Sequence, residues 1–447
     1  MRQSPGAPPP SEVVWSGEAE RLNRGCFCVT LDRKALASAF DREVGVVGFA
    51  EALQRSHPLL FSNSPMFVPA RVLVEMTQAV AAVEAATSLP GYREAALSWA
   101  APLAHRDFGP AGALMGYDFH VTADGAKLIE VNTNAGGAFL NAPLARAQRA
   151  CCAPTLALAP NLADFESQVA GMFLAEWGRQ GKSGRPKRIV ILDDAPDTQH
   201  LAPEFKLAQA ILRSRGFDTV IGDPRDLDAG EHGVSLGGQA IDLVYNRLVD
   251  FTFEDPAHAV LRDVYRQGLI VVTPNPHVYA LFADKRNLTL LCDLERLRAW
   301  GLAPAHLGVL GAVALPTVRV TADNAETLWL ERKNWFFKRA QGHASKAAYR
   351  GDKLTHRVWG EVTAGDYVAQ AYAAPGLRDV THEGVRAELK ADVRLYTYNG
   401  QVLLAAARLY QGQTTNMRTP GGGFAPVLVV ADGAPVATAP ESQLGGQ

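Results

Sequence analysis

Apolar positions recur at helical spacing in "RKALASAFDREV" and "PARVLVEMTQAVAAVEAATSL", so the first ninety or so residues read as mainly helical. The period then changes to two. "GALMGYDFHVTADGAKLIEVNTNAGG" alternates on either side of "ADG", which predicts two antiparallel strands joined by a tight turn. Helical spacing returns in "NLADFESQVAGMFLAEWGRQG", which runs into the basic, Gly/Pro-containing stretch "GKSGRPKR", the best candidate boundary in the chain. Beyond it the pattern is α/β: strand "RIVILDD", helix "APEFKLAQAILRSRG", then strands "DTVIG" and "AIDLVYNRL". "VYALFADKRNLTLLCDLERLRAWG" reads as helix, "LPTVRV" and "WFFKRA" as strands, and "YVAQAYAAP" as a short strand closed by Pro375. The last regular group, "ADVRLYTYNGQVLLAAARLY", is a hairpin turning at "YNGQ". No internal repeat is visible.

A chain of 447 residues is too long for one ordinary core, so several packed units or one large composite domain are expected. With 20% charged residues and a net charge of −2, it carries no electrostatic footprint for nucleic acid or an anionic membrane. Any acidic ligand must meet local cations. The start, "MRQSPGAPPPSEVVWSGE", is Pro-rich without an apolar core, and no stretch approaches a membrane-spanning length of apolar residues. A soluble, cytoplasmic protein with no nucleic-acid or membrane partner is therefore expected, with residues 1–20 as a disordered arm. The cysteines (Cys26, Cys28, Cys151, Cys152, Cys292) follow no zinc spacing and are odd in number, which suggests a reducing compartment and inert thiols, with a metal or redox role as the alternative.

"GKS" at 181–183 is not a phosphate loop, because Glu176 stands where the pattern needs a glycine and the segment precedes a strand. Glu130 and Asn132, two apart on a strand, point to one face. With Asp118 on the preceding strand they offer hard oxygens of the kind Mg²⁺ takes alongside phosphate and water; a solvated glutamate beside a turn-capping asparagine is the plain alternative. Lys285 in "FADKRNLTLL" and Lys338 in "WFFKRAQGHASK" are flanked by apolar residues, where a lysine usually has an anionic partner. The small polar loop after Lys338 could close over phosphates with backbone amides and with His343 or Lys346, or be a plain solvent loop. Arg394, Arg408 and Arg418 recur in "DVRLYTYNGQVLLAAARLYQGQTTNMRTPGGG", and arginine suits planar oxyanions, while the "PGGGF" turn at Gly422 permits close backbone approach. An antiparallel sheet with exposed charges is the competing account.

Together these pieces resemble an ATP-grasp ligase in rotated order. Ordinary members run from a "DK" lysine through a "KP" lysine and glycine loop, an Asp-x-Arg hairpin and an Arg-rich segment, and end in an Asp strand and "EVN". Here "GYDFHV…IEVNTNAGG" comes first, followed by "ADKRN", "FFKRAQG", "YVAQAYAAP", "DVRLYTYNGQVLLAAARL" and "NMRTPGGG". This order is similar to that of the circularly permuted, eukaryotic-type glutathione synthetases, and the likeness covers about residues 110–140 and 187–430. It implies an α/β (α+β) class: a permuted ATP-grasp fold with an inserted α/β substrate domain. The implied division is a helical region 21–186 carrying the hairpin 110–140, a substrate domain 187–275, a lysine-bearing lid 276–380, the rest of the core 381–435 and a tail 436–447.

The resemblance further implies ATP and Mg²⁺ as cofactors, with Asp118, Glu130 and Asn132 as metal ligands. Lys285 and Lys338 would meet the α/β-phosphates, backbone groups of Gln370, Ala371 and Tyr372 the adenine, and Gly342, Ser345 and Lys346 the closing loop. Arg394 and Arg408 would face the transferring phosphoryl group. Arg247 in "VYNRL" matches a substrate-carboxylate arginine, and Glu204, Arg418 and Gly422 join it as substrate residues. Three departures stand out: Arg339 replaces the "KP" proline, the loop has one glycine, Gly342, and the synthetases' loop carboxylate is missing from "RAQGHASK". The expected activity is an ADP-forming ligase joining a small-molecule acid, such as an amino acid or short peptide, to an amine through an acyl phosphate. A nucleotide-binding protein that has lost ligation and a phosphotransferase are the rivals, and the oligomeric state stays open between monomer and homodimer.

Overall fold

The computed structural model describes residues 17–149, 157–158, 162–230, 233–342, 347–416 and 418–432. The expectations for Cys151, Cys152, His343, Ser345, Lys346 and the tail 436–447 lie outside them. A helix, Glu18–Gly25, begins inside the stretch read as an arm. Two of its residues fasten it: Arg24 meets Asp379 and Glu388 at 2.7 Å each, and Asn23 donates to the Phe67 carbonyl at 2.8 Å.

The helices Arg33–Val44 and Ala70–Thr87 form where the apolar period placed them. Between them lies strand β1 (Met66–Pro69), four residues too short to show a period. Strands β2 (Met115–Thr122) and β3 (Gly125–Asn132) make the expected hairpin. The α/β region follows with β4 (Arg188–Leu192), β5 (Asp218–Gly222), β6 (Leu243–Asn246) and β7 (Val271–Thr273). Next come β8 (Thr317–Arg319), β9 (Trp335–Arg339), β10 (Ala348–Arg350) and β11 (Tyr367–Ala371). The chain closes with β12 (Gly376–His382), β13 (Val385–Tyr398), β14 (Gln401–Tyr410) and β15 (Gly423–Val430). Asn399 and Gly400, both at positive φ, make the two-residue turn between β13 and β14.

The central sheet has the order β1-β15-β14-β13-β2-β3, with β12 also on β13. It joins the two ends of the sequence: Arg394 of β13 pairs with Asp118 of β2. One face buries Tyr117, Phe119, Val393, Leu395, Ala405 and Ala407 against Met76, Val80 and Val83 of the helix Ala70–Thr87. Each large apolar side chain among them contributes about 1.5–3 kcal/mol of burial, so this face cannot turn outward. The opposite face carries the polar residues of β2, β3, β13 and β14.

The second sheet, β7-β6-β4-β5, is all parallel, as βαβ connections require. Chain order reverses between β4 and β6, and Asp193, Asp194 and Arg247 follow the carboxyl ends of those two strands. "GKSGRPKR" does separate helix Phe165–Arg179 from β4, but the core crosses it: Leu36, Phe40, Phe139 and Phe165 pack with Ile189, Ile191, Phe205 and Leu207. A third, antiparallel sheet, β8-β11-β9-β10, encloses Leu328, Phe337, Val362 and Ala369.

The stretch around Lys285 is three short helices where one was expected: Pro276–Phe282, Asn287–Leu291 and Leu294–Ala299. Asp284 causes the first break by accepting from the Arg286 backbone N–H at 3.0 Å, and Asp293 caps the third helix through the Arg296 N–H. Lys285 sits in that break. Among the described residues no single helix is long and apolar enough to cross a membrane.

Candidate functional site

Strand period two puts Gly116, Asp118 and His120 of β2 on the face opposite Tyr117 and Phe119. In β3 the parity changes midway. Asp118 pairs with Glu130 and Phe119 with Leu128, so Ile129 is an extra, bulged residue. Leu128 and Val131 can therefore both enter the core while Glu130 and Asn132 face the polar side. The bulge also supplies the Ile129 carbonyl, which accepts from Lys338 Nζ at 2.7 Å.

Across the sheet, Lys390, Asp392 and Arg394 of β13 and Arg408 and Tyr410 of β14 complete this face, with Asp392 opposite Arg408 and Arg394 opposite Asp118. Arg394 grips Asp118 through Nε and Nη2 at 2.6 and 2.7 Å. Arg408 donates from Nη2 to Asp118 at 2.7 Å and from Nε to Asp392 at 2.6 Å, and Thr415 Oγ1 donates to the other Asp392 oxygen at 2.9 Å. Two carboxylates and two guanidiniums thus form a buried, neutral quartet. Burial alone would raise the Asp118 carboxyl, but Arg394 and Arg408 outweigh it and hold it at about 2. Desolvation works against the Arg408 charge too, and Asp118 and Asp392 overcome it, so its affinity for the proton lies well above the ordinary arginine value.

The expectation that Asp118 ligates a metal meets a different arrangement. Its Oδ2 already accepts from Arg394, Arg408 and, at 3.2 Å, Asn132 Nδ2. A divalent cation on that oxygen would lie beside two guanidiniums, so Asp118 is placed as their counter-ion. Glu130 and Asn132 fit a hard cation better. Asn132 Nδ2 also donates to Glu130 Oε1 at 3.2 Å, which leaves the Asn132 carbonyl oxygen and Glu130 Oε2 for the cleft. Among the described residues no group of three or more His, Cys, Asp or Glu side chains is arranged to hold a metal, so any cation here would need further oxygens from a ligand or water.

Opposite the quartet stand the lysines. Lys338 ends a buried run of β9 and donates to the Ile129 carbonyl and to Gln370 Oε1 at 2.8 Å, tying the third sheet to the hairpin. Burial depresses its ammonium to about 8, against the attraction of Glu130. Lys285 donates to the Gly342 carbonyl at 3.2 Å and lies 4.0 Å from Glu130 Oε2. Burial pushes the Glu130 carboxyl up, and Lys285 and Lys338 more than reverse it. Glu130 faces two cations, so this half of the cleft has one positive charge in excess.

Ile129, Leu315, Phe336, Tyr372 and Pro375 form the apolar end of the same cleft, and Arg350 stacks on the Tyr372 ring at 4.4 Å. Gln370, Ala371 and Tyr372 do line this end of the cleft, with two of their amides already engaged. The Ala371 N–H is taken by the Pro316 carbonyl at 2.7 Å and that of Tyr372 by Asn334 at 2.8 Å. The next amide, Ala373, is the open donor among the described residues here, while its carbonyl meets His120 Nδ1 at 2.8 Å.

The remaining assigned residues lie elsewhere. Arg247 and Glu204 are buried at the carboxyl edge of the parallel sheet; Arg247 donates to the Tyr245 hydroxyl at 3.3 Å, and Glu204 accepts from the Gly137 and Phe139 amides at 2.7 and 3.2 Å. A Cβ on Gly136 would lie 3.4 Å from Arg247 Nη2 and 3.5 Å from Glu204 Oε2, and the Gly136 carbonyl accepts from Tyr396 and Arg394 at 2.8 and 3.4 Å. "NAGG" is therefore where the chain threads from the quartet to the second sheet. Arg418 is exposed and does not line the cleft, and Gly422 is a packed turn whose Cβ would strike the Leu409 carbonyl at 2.4 Å, so neither is brought to the site. Sequence reading missed His120, Arg350 and Thr415. Only His120 had a signal, its place one period from Asp118.

No protein-family model and no curated protein matches the chain. Solved structures do. A glutathione synthetase-like effector, GSS30, from Globodera pallida in its apo form aligns over 90% of this chain and 98% of its own, with a TM-score of 0.57 at 12% identity. The chain has an ATP-grasp-like fold. A putative gamma-glutamylcysteine synthetase from Methylobacillus flagellatus KT aligns over 78% of this chain and 85% of its own (TM-score 0.44, 11% identity). The ATP-grasp ligase PsnB, complexed with a minimal precursor, aligns over 55% and 90% (TM-score 0.30, 14% identity).

Proposed function

We propose that this protein is an ATP-dependent, ADP-forming ligase that joins a small carboxylic acid, an amino acid or short peptide, to an amine. The observation that carries the reading is the division of one cleft into a neutral arginine–carboxylate quartet and a lysine-rich half beside Glu130 and Asn132. A carboxylate does not condense with an amine at neutral pH because its leaving group is poor, and phosphorylation repairs that. Lys285 and Lys338 would neutralise the nucleotide's phosphates, and the Ala373 amide would meet the base. Arg408 would hold the phosphoryl oxygens of the acyl phosphate and the tetrahedral adduct, with Arg394 and Asp118 fixing its direction. Glu130 and Asn132 would hold Mg²⁺, which supplies charge neutralisation on the phosphates. Arg247 and Glu204 would receive the acid, reached from the quartet through Gly136. An ATP consumer of this kind is at home in the cytoplasm.

The test is ADP release from purified protein with ATP and Mg²⁺, crossing amino acids, short peptides and polyamines in pairs. A ligase releases ADP only with a matched pair. With the acid alone it also scrambles the β,γ-bridge oxygen of ATP, provided the β-phosphate can rotate. ADP release that needs one acceptor and yields a stable phosphorylated product would identify a phosphotransferase, and nucleotide binding without turnover across the panel would count against ligation.

A further inference from the structure

We infer that His120 reads the sugar of the bound nucleotide, its Nε2 accepting a hydrogen bond from a ribose hydroxyl; this rests on the nucleotide reading of the cleft. His120 shares a face of β2 with Asp118, one strand period, about 7 Å, further along. Its Nδ1 lies 2.8 Å from the Ala373 carbonyl. A carbonyl only accepts, so Nδ1 carries the hydrogen, and the neutral ring is left with an acceptor at Nε2. The ring lines the cleft. One side of it therefore belongs to the base-binding end at Ala373, and its charged neighbours, Asp392, Lys338 and Arg408, belong to the phosphate end. Between the base and the phosphates of a nucleotide lies the sugar.

The chemistry narrows the contact further. Phosphate oxygens at neutral pH donate nothing, so an acceptor nitrogen cannot be matched by them. The 2′- and 3′-hydroxyls donate. A ligand lacking the hydroxyl would bury Nε2 without a partner, and selectivity would come from that unsatisfied acceptor. Thr415 spends its hydroxyl hydrogen on Asp392, so it brings no donor to His120 Nε2.

The experiment is a calorimetric titration of the full chain, in Mg²⁺ buffer, with ATP, 2′-deoxy-ATP, 3′-deoxy-ATP and inorganic tripolyphosphate. Wild type should prefer ATP over one of the two deoxy forms by about three- to tenfold, the scale of one hydrogen bond. His120→Phe keeps the ring's bulk and should bind all three nucleotides within about twofold of each other, with tripolyphosphate affinity unchanged and the melting temperature lowered only by the loss of the one bond to the Ala373 carbonyl. Wild type that binds ATP and both deoxy forms equally overturns the inference and leaves the nucleotide reading intact; that arm needs no variant to fold. A folded His120→Phe that keeps the full preference overturns it too. Wild type that binds neither ATP nor tripolyphosphate removes the nucleotide reading and this inference together.

Discussion

Replacing Asp118 with asparagine keeps the shape of the quartet and removes its central charge. Asp118 is 1% exposed and accepts from Arg394 twice and from Arg408 once at 2.6–2.7 Å. Its carboxyl is held at about 2 from an unfolded value of 3.8. A folded pKa depressed in this way contributes stability that is present above the unfolded value and lost as the pH falls through the folded one. The size is about 2 kcal/mol at neutral pH, disappearing between about pH 4 and pH 2. The Asp118→Asn variant would forfeit that and leave two guanidiniums facing one remaining carboxylate, so the total should fall near the cost of breaking a buried ion pair, about 3–5 kcal/mol. Spread over a chain of 447 residues, that loss should lower the melting midpoint by about 3–5 °C in scanning calorimetry. The double variant Asp118→Asn/Arg394→Gln restores charge balance and should recover a large part of the loss, because the two sites are coupled. An Asp118→Asn protein that melts within about 2 °C of wild type would refute the argument, since the quartet would then carry no buried electrostatic energy.

Glu130→Gln and Asn132→Ala should each abolish ADP formation yet melt within a few degrees of wild type, because both side chains open onto the cleft; failure of both to fold would make the pair a structural turn. Calorimetry should find ATP binding far tighter with Mg²⁺ than with EDTA, and equal affinities would remove the metal from the site. Lys338 is charged below about pH 8 and loses its proton above it, so nucleotide affinity should fall with a one-proton slope as the pH rises past 8, and Lys338→Met should bind weakly with that slope gone. Arg408→Ala should lower turnover by roughly two to three orders of magnitude with a smaller change in ATP affinity; equal turnover would withdraw its catalytic role.

The fold was legible where the period was long or the turn chemistry sharp. The helix Ala70–Thr87, the hairpin at Asn399 and Gly400, and the α/β alternation from Arg188 all stand as the residues suggest. The helix Ala138–Arg146 was not legible: it is buried on every side from Ala138 to Ala145 and contains Pro143, so it shows no amphipathic stripe. The candidate site was legible as a set of residues and less so as a set of roles. Asp118 reads as a cation ligand because it stands on the strand before Glu130 and Asn132 and offers a third oxygen there; its arginine partners come from 276 and 290 residues away. Glu130 and Asn132 do share a face, but the bulge at Ile129 that makes this compatible with a buried Leu128 is visible only in the pairing. Gly422 looked like a point of backbone approach for a ligand, and the backbone that approaches it is that of Leu409.

The two halves of the cleft are joined at one side chain. Asn132 Nδ2 lies 3.2 Å from both Asp118 Oδ2 and Glu130 Oε1, so a single amide links the quartet to the carboxylate that faces Lys285 and Lys338. Its two contacts set a condition on the chemistry. Glu130 can bind a cation through its other oxygen without releasing Asn132, and Asp118 can keep both arginines while that happens, so the quartet stays intact when a ligand arrives and only the 4.0 Å pair between Lys285 and that oxygen has to yield. The charges that would face a transferring phosphoryl group are then fixed by the protein before the reaction begins, which is the condition under which oriented charge lowers a barrier without reorganising. The cost falls on Asp118, whose carboxylate must stay ionised in a site that water barely reaches. That is why the stability of Asp118→Asn and the turnover of Glu130→Gln should separate: one residue holds the arrangement together, and the other uses it.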